Sequence, residues 1–548
     1  MQSCKIPIFK IMRCRVIFLM CFLVKFSCYA QFVTIWKTDN PGLSEPNQII
    51  IPAKGTYTVA WQEVGTPGNK GTTQGKDATT ITFPKAGIYQ ISITGGLKQI
   101  KFAHQGDENK LITIEQWGSI AWTSMEKAFG GCENMDCIAT DAPNLTQVAS
   151  LRSMFENCIK FNGKIGHWNV SQIKNMSSMF FGATNFNQPI GEWNTSQVKN
   201  MHYMFYEATS FNQSIGNWNT SNVVDMNGMF RTAKNFNQSI GGWNTGQVKD
   251  MQEMFYEAAS FNQPIGRWNI GQVENLSSMF FGAVSFNQPI GAWNVGQAKD
   301  MKYMFCKASN FNQPIGNWNT SQVKDMSNLF FGATSFNQPI GNWNTSKVTD
   351  MRGMFAGAEA FNQPIGNWNT SNITDMRGMF AGTETFDQPI GNWNTSKVKN
   401  MSRMFAWTTR FNQPIGNWNT SSITNMSHMF SKAARFNQPI GNWNTSQVTN
   451  MNAVFANATS FNQPISDWNT SQVKDMNHMF FGATRFNQPI DKWNTSRVTN
   501  MSYMFYEATN FNQPIGGWNI NQVKDMRYMF EKATHFKQDL SHWKQLKD

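Results

Sequence analysis

The chain has few charged residues, and they are spread thinly. Asp, Glu, Lys and Arg make up only 15% of its 548 residues, whereas hydrophobic residues make up 40% and aromatic residues 14%. That balance excludes general disorder, because disordered chains are rich in charge and poor in aromatic residues. Of the formal charge of +12, +5 belongs to residues 1–30, and +7 is diffuse over the other 518 residues. So diffuse a charge does not make a phosphate-binding surface, and we expect no nucleic-acid partner.

Long hydrophobic runs are also nearly absent. The clearest run, Val16–Val24, follows a basic segment and is too short to span a bilayer, which takes roughly 20 apolar residues. A small-residue site that ends at Ala30 comes shortly after it, an arrangement typical of an export signal. We therefore expect residues 1–30 to be a signal peptide cleaved after Ala30, no membrane span, and a secreted or cell-surface protein. A lipid anchor at Cys28 and an uncleaved leader are the alternatives.

Cysteine is scarce beyond the leader, where only four of the eight cysteines lie: Cys132, Cys137, Cys158 and Cys306. The pair Cys132 and Cys137 lacks both the spacing and the partner ligands of a zinc site. In an exported chain, a disulfide among Cys132, Cys137 and Cys158 is the expected use of these residues. Cys306 would then remain as a lone exposed thiol.

What the sequence has in abundance is an internal repeat. Tryptophan recurs every 25 residues from Trp168 to Trp543. With this tryptophan as position 1, the repeat reads W-N-T-S-x-V-x-x-M-x-x-M-F-x-x-A-x-x-F-N-Q-P-I-G-x. Two degenerate repeats begin at Trp117 and Pro143, which gives 17 repeats and a short stub after Trp543. A period this strict predicts a solenoid over residues 117–548.

The fixed positions of the repeat predict a short helix and a short parallel strand in each coil. Positions 6, 9, 13 and 16 have helical spacing, and position 8 is Asn or Asp in every repeat from Trp168 to Trp518, as a helix N-cap requires. We therefore expect a helix over positions 9–17, a strand around the isoleucine at position 23, and internal ladders of Trp and Phe. The asparagine at position 2 is expected to form a hydrogen-bonded ladder that satisfies backbone groups of the turns.

The repeat resembles that of BspA-like leucine-rich-repeat proteins of bacterial surfaces, whose 25- or 26-residue version is built on the phrase W-N-T-S-x-V-x-x-M-x-x-M-F. Cys132 and Cys158 stand at the family's cysteine position. The resemblance covers about residues 117–548. It implies a leucine-rich-repeat-like, right-handed solenoid on an exported surface protein, and adhesion to host or matrix proteins is attributed to some members. This chain departs from leucine-rich repeats in carrying Met, Phe and Trp where they keep Leu.

Residues 31–116 have a different pattern, in which five segments alternate apolar and polar side chains as half-buried strands do. These segments are residues 33–36, 56–61, 80–83, 88–93 and 98–102. They predict a small β-sandwich-like domain. Its expected role is to cap the open end of the first coil, as terminal elements of repeat proteins do; independent ligand binding is the alternative.

The sequence offers no sign of catalysis, cofactor binding or metal binding. Its seven histidines are scattered, and it contains no nucleophile elbow, phosphate loop, HExxH motif or Asp-rich calcium loop. The Asn and Asp residues at position 8 are better explained by capping than by a row of bound cations. The Asn-Thr-Ser triplets at positions 2–4 are interpreted as backbone-binding residues and not as glycosylation sites. We therefore expect a protein that is not an enzyme.

Position 14 is the best candidate for a binding surface, because it is aromatic in some repeats and small in others, which core positions are not. The expected function is that of an exported bacterial surface protein that presents an elongated repeat surface to a host, matrix or neighbouring-cell protein or glycan. A structural spacer or surface-layer component without a specific ligand is the alternative, and the rings could also merely cover the edge of the core. The aromatic residues at position 14 are Phe181, Tyr206, Tyr256, Phe281, Phe331, Phe481 and Tyr506.

Overall fold

The computed structural model describes residues 31–543, which belong to two compact units. Unit 1 comprises Met1–Asp225 and Met229–Gln238, and unit 2 comprises Met226–Gly228 and Ser239–Asp548. The predicted signal peptide of residues 1–30 lies outside the described residues, as do residues 544–548.

Unit 1 begins with a β-domain made of a six-stranded and a two-stranded sheet. The strand order in the large sheet is β4-β3-β6-β1-β7-β8, and β2 pairs with β5 in the small one. Neighbouring strands are antiparallel except for β7 and β8. The strands are β1 (Phe32–Lys37), β2 (Gln48–Ile51), β3 (Ala53–Glu63), β4 (Lys70–Lys76), β5 (Thr79–Thr82), β6 (Ile88–Ile100), β7 (Leu111–Gln116) and β8 (Asp136–Cys137).

All five segments that the sequence predicts as strands overlap strands of this domain. The sequence analysis misses the edge strand β4, whose residues Lys-Gly-Thr-Thr-Gln-Gly-Lys lack an apolar alternation because they are mostly exposed. It also misses β2 and β7. The large sheet extends past the expected domain boundary at residue 116, because β8 lies within the first repeat and pairs with β7.

The β-domain covers the first coil and makes the contacts that a preceding coil would make. The Phe102 and His104 N–H groups donate to the carbonyl oxygens of Ala128 and Gly130, at 3.2 and 2.9 Å. The Phe102 ring packs against Phe129, the first phenylalanine of the repeat core, with ring centroids 6.4 Å apart. Residues 102–104 therefore take the place of a coil that would otherwise be missing, which is the contact expected of a cap.

The repeats stack on one another within each unit, and their backbone hydrogen bonds run in two alternating directions. N–H groups at odd positions 9–15 donate to the next coil; Phe305 at position 13, for example, donates to the Leu329 oxygen at 2.9 Å. N–H groups at even positions 12–16 donate three residues back, as Met304 does to Met301. The N–H at position 10 donates to the position-8 side chain, as Lys302 does to Asp300 at 2.9 Å. Each N–H over positions 9–16 is thereby paired.

The predicted helix over positions 9–17 is wrong, since no α-helix occurs in residues 31–543. Its place is taken by a series of turns with left-handed residues at positions 11 and 15, such as Tyr303 and Lys307, both with φ of 58°. A left-handed residue ends a right-handed helix, and here two of them stand four residues apart. The Met-x-x-Met-Phe spacing imitates a helix because three-residue turns also bring positions 9, 13 and 16 to one side.

The predicted strand at position 23 is also wrong, whereas the position-2 asparagines bond to turn backbone groups as predicted, but each within its own coil. The carbonyl oxygen of Ile315 accepts hydrogen bonds from the Trp318 N–H and from the Trp343 indole of the next coil, so it is not available to a strand ladder. Parallel bridges join position 8 instead, as between Asp325 and Asp350.

The asparagine that links coils stands at position 20. The Asn337 Oδ1 atom accepts hydrogen bonds from the Asn362 N–H at 3.0 Å and from the Gln363 amide at 2.9 Å in the next coil. At position 2, by contrast, Asn344 Oδ1 accepts from the Ser346 N–H of its own coil, also at 3.0 Å. Both positions are asparagine in nearly every repeat, so the sequence alone does not separate their roles.

The aromatic ladders that the sequence predicts are confirmed within each unit. In unit 2, the phenylalanines at position 13 stack from Phe255 to Phe530 with ring centroids 5.5–5.8 Å apart. A second phenylalanine at position 19 stacks on each of them within the coil, as Phe336 does on Phe330 at 3.9 Å. Apart from Phe530 and Phe536, which are half-buried, these rings are buried and form the core, so they are not ligand platforms.

We expect Asp350→Ala to destabilise the protein by about 1 kcal/mol and Lys347→Ala to be neutral. The Asp350 Oδ1 atom accepts a hydrogen bond from the Arg352 N–H at 3.0 Å, and alanine would leave that donor unpaired. Lys347 is exposed and bonds only to the Gln322 side chain, at 2.7 Å. Urea unfolding of the three proteins measures the difference. Equal effects of the two substitutions would contradict the turn-forming role of position 8.

Asp350→Asn separates that hydrogen bond from the charge. Burial raises the pKa of Asp350 above its ordinary value, and the neighbouring Asp325 and Asp375 carboxylates raise it further. A carboxyl whose pKa is raised by folding is most favourable when protonated, so stability falls as pH rises from about 4 through the raised pKa. Asparagine keeps the acceptor and carries no charge. We therefore expect Asp350→Asn to be at least as stable as the parent at pH 7, with the difference vanishing below pH about 4.

Candidate functional site

The seven predicted residues of the aromatic stripe at position 14 lie at the surface of the stacked repeats. Phe331 is 39% exposed, and the other six rings are half-buried. Apart from the half-buried Ala381, small side chains at the same position are buried, because the β-carbon lies level with the surface and only a long side chain reaches solvent. They are Cys306, Ala356, Ala406, Ser431 and Ala456.

The stripe rings are stacked in pairs from one coil to the next. Phe181 and Tyr206 are nearly parallel in unit 1, with ring centroids 4.3 Å apart. In unit 2, Tyr256 stacks on Phe281 at 4.4 Å. Phe481 stacks on Tyr506 at 4.9 Å. The faces of these rings are thus turned toward each other, and their edges are turned outward.

Cations cover the C-terminal face of each stacked pair. The Arg231 guanidinium lies 5.4 Å from the Tyr206 ring centroid, and the Lys307 ammonium lies 5.6 Å from that of Phe281. The Lys532 ammonium lies 4.9 Å from the Tyr506 ring. The Tyr506 hydroxyl and the Glu507 carboxylate hold the pKa of Lys532 above its ordinary value. Each stacked pair therefore ends in a positive charge.

A second row of rings at position 11 widens the stripe, and the sequence analysis missed it. Tyr303 packs against Phe281 at 6.4 Å, and Tyr503 packs against Tyr506 at 5.7 Å. The recurrence of Tyr and His at position 11 was the available signal. It was hidden by the Ser, Gly, Asn, Arg and Ala residues that stand there in other repeats. The position-11 rings are Tyr203, Tyr303, His428, His478, Tyr503 and Tyr528.

Two kinds of cavity lie away from the stripe. One of about 530 Å³ adjoins β8 and is lined by Asp136, Ile138, Lys164 and His167, among others. Another of about 420 Å³ lies where the prolines of position 22 and the glycines of position 24 meet between coils. The glycine is required there, because a β-carbon on Gly341 would clash with the Pro364 carbonyl oxygen of the next coil.

The four cysteines described by the structure are buried free thiols, so the expected disulfide is not formed. Cys132 and Cys158 occupy position 16, where other repeats place a core alanine, and Cys158 donates its thiol to the Phe129 carbonyl oxygen at 3.1 Å. The expectation of an exposed Cys306 is also wrong, since only 2% of its surface is accessible. Burial raises the pKa of the Cys137 and Cys306 thiols to about 12, which makes both poor nucleophiles at neutral pH.

Within residues 31–543, no group of three or more His, Cys, Asp or Glu side chains is arranged to hold a metal ion. A helix long and apolar enough to cross a membrane is likewise not found in this part of the chain. The arrangement at position 14 is a surface of stacked rings and cations.

Comparison with known families gives one result. Six overlapping segments match the family model described as "Mycoplasma protein of unknown function, DUF285": residues 123–238, 213–315, 290–369, 307–413, 361–465 and 433–543. No curated protein matches the chain. The matched segments together run from residue 123 to residue 543, which is well over half of the chain, and they cover the repeats but not the β-domain. The protein therefore belongs to the DUF285 family of Mycoplasma proteins of unknown function.

Proposed function

We propose that the protein is an exported surface protein whose stacked repeats form a solenoid that binds a macromolecular partner without catalysing a reaction. The observation that carries this proposal is the aromatic stripe, whose rings reach solvent beside a core in which the other repeat phenylalanines are buried. Aromatic and arginine side chains at a surface are the residues that most often dominate the energy of protein interfaces. Membership of a repeat family and the resemblance to BspA-like proteins support the surface role.

The geometry of the stripe favours a protein partner over a glycan. A sugar ring packs against the face of an aromatic ring, but in the stacked pairs one face of each ring is covered by its partner, and the second face of Phe281 is covered by the Lys307 ammonium. The outward edges carry the positive end of the ring quadrupole, which suits backbone carbonyl groups and the faces of other aromatic rings. We therefore infer that a host, matrix or neighbouring-cell protein docks along the stripe.

We expect a Phe281→Ala, Phe331→Ala double variant to bind its protein partner at least about tenfold more weakly than the parent, because it removes two candidate anchor rings. The partner is first identified by binding of the purified protein to an array of extracellular-matrix proteins and glycans, and affinity is then measured by surface plasmon resonance. Val284→Ala is the matched control, because Val284 is 40% exposed and lies off the stripe. Thermal unfolding confirms that the variants remain folded.

Each outcome of this experiment decides between named alternatives. Unchanged binding by a folded double variant would contradict the stripe as the binding surface. No binding of the parent to any protein or glycan would favour a structural spacer without a specific ligand. Binding to glycans alone would contradict the inference of a protein partner.

A further inference from the structure

The net positive charge beyond the leader is not diffuse, contrary to what the sequence analysis expected, because nearly all of it arises in one acid-free stretch. Residues 388–466, here called the basic segment, contain six Lys and Arg residues and neither Asp nor Glu. This segment alone supplies +6 of the +7 carried by residues 31–548. Position 8 follows the same division, because it is aspartate from Asp300 to Asp375 and again at Asp475 but is asparagine throughout the basic segment.

The cations of the basic segment are not neutralised by the protein. Elsewhere in unit 2, basic residues at position 10 pair with the aspartate at position 8, as Lys302 does with Asp300 at 3.3 Å and Arg352 with Asp350 at 3.4 Å. In the basic segment position 8 is asparagine and position 10 carries no basic residue, and the arginines stand at positions 11 and 18 instead. Its arginines are exposed, and they make no ion pair with any residue that the structure describes. They are Arg403, Arg410 and Arg435.

Trp407 lies in the basic segment, four residues after Arg403 and three before Arg410, in a conformation that costs stability. It occupies position 15, where the backbone is left-handed, and has a φ of 63°. Several other repeats place glycine there, for example Gly357 and Gly382 in the two preceding coils, and the rest place polar residues such as Lys307, so Trp407 is the one large apolar residue at this position. The indole is also 53% exposed and thus contributes little to the core. A large apolar residue that breaks a local rule without a structural benefit is typical of a functional position.

The Trp407 indole is 53% exposed, and its side toward the preceding coil, here called the open face, meets no side chain at position 15, where that coil has Gly382. The Lys432 ammonium covers the face toward the next coil, 3.4 Å from the ring centroid. On the opposite side, a β-carbon added at Gly382 would meet only Gly357, at 3.7 Å. Position 14 of these coils is alanine, so the adjoining surface carries no large side chain there. An apolar side chain of a partner could therefore lie against the open face while acidic groups reach the surrounding cations.

We propose that Trp407 and the surrounding cations of the basic segment form a second binding site, which takes an acidic polypeptide segment with an apolar anchor side chain. The site is separate from the aromatic stripe, which is interrupted by small residues over this stretch. The charge requires an anionic partner, and arginine forks pair with carboxylates in bidentate geometry. A single-stranded nucleic acid is disfavoured, because it needs a succession of rings for its bases and Trp407 stands without aromatic neighbours at positions 14 and 15 of the adjoining coils.

The test is binding of a fluorescein-labelled glutamate peptide with one central tyrosine to the purified full-length protein, followed by fluorescence anisotropy at low salt. We expect Trp407→Gly to weaken binding at least about tenfold. This variant should fold, because glycine is native at position 15 of the preceding coil. An Arg403→Gln, Arg435→Gln double variant should weaken binding several-fold. Lys324→Gln is the matched control for charge, since Lys324 is exposed and lies outside the basic segment.

The variants test the Trp407 site separately from the aromatic stripe. The Phe281→Ala, Phe331→Ala double variant should bind the glutamate peptide as the parent does, so failure of either site leaves the other intact. Equal affinity of Trp407→Gly and the parent would overturn the proposal. The proposal would also be overturned if the parent bound heparin but not the peptide and the Arg403→Gln, Arg435→Gln variant lost the heparin binding. That result would assign the site to an anionic glycan.

Discussion

Phe330→Ala is expected to destabilise its part of the repeat stack by about 3–5 kcal/mol, the usual cost of a phenylalanine-sized core deletion. Phe330 is fully buried and stacks on Phe305 and Phe355 in the adjoining coils, at 5.6 and 5.7 Å. It also packs on Phe336 of its own coil at 3.9 Å. Because a repeat contacts only its neighbours, the loss should be felt mainly in these three coils.

The adjacent residue provides an unusually close control. Phe331 follows Phe330 in sequence, but its ring is 39% exposed, so Phe331→Ala should cost less than about 1.5 kcal/mol by lost apolar contact. Urea unfolding gives the total change, and hydrogen exchange mass spectrometry of residues 305–355 locates it. If the two variants lose equal stability, or if solvent quenchers reach most repeat tryptophans of the folded parent, the assignment of the core ladder is wrong.

Lys110→Met is expected to destabilise the β-domain by about 3–5 kcal/mol, since it leaves a buried carboxylate without its counter-ion. Lys110 and Asp107 are both fully buried, with 3.9 Å between the ammonium and the carboxylate. The Lys110 ammonium donates to the carbonyl oxygens of Ser44, Glu45 and Gln48 at 2.9–3.0 Å. Asp107 accepts from the same segment, including the N–H of Ser44 at 3.0 Å.

The buried pair of Lys110 and Asp107 therefore holds residues 44–50 against the rest of the domain. Lys37→Met is the matched control, because Lys37 pairs with Asp39 at the surface and such pairs contribute about 0–1 kcal/mol. Hydrogen exchange of strands β1 and β6 reports on the domain, and exchange of residues 125–160 reports on the first coils beneath it. Faster exchange in both regions of Lys110→Met is expected if the β-domain caps the stack. Unchanged exchange in residues 125–160, with the β-domain opened, would contradict the capping role.

The sequence alone determined the period, the register and the composition of the core. Each residue predicted as an internal ladder position, from the Trp of position 1 to the Phe of position 13, is buried in the repeats that begin at Trp168 to Trp493, whereas Phe530 in the repeat that begins at Trp518 is half-buried. This success has a simple cause: a side chain that must be apolar in every coil can only face the neighbours above and below it. The alternating segments of the β-domain were readable for a related reason, because half-buried strands show their two faces directly in sequence.

Only the tertiary structure decided what backbone connects these core positions. A helix and a series of three-residue turns place positions 9, 13 and 16 on the same side, so the apolar pattern does not separate them. Asx residues begin both structures, because their side chains accept a nearby N–H in either case. The choice is made by N–H groups such as that of Phe305, whose acceptor at Leu329 lies 24 residues further along the chain. Hydrogen bonds to the next coil satisfy these N–H donors at the same time as the rings stack. In a helix the same N–H groups would bond within their own coil, and these backbone hydrogen bonds between coils would be lost. No local pattern records a partner that far away, which is why the core could be predicted and the path of the chain around it could not.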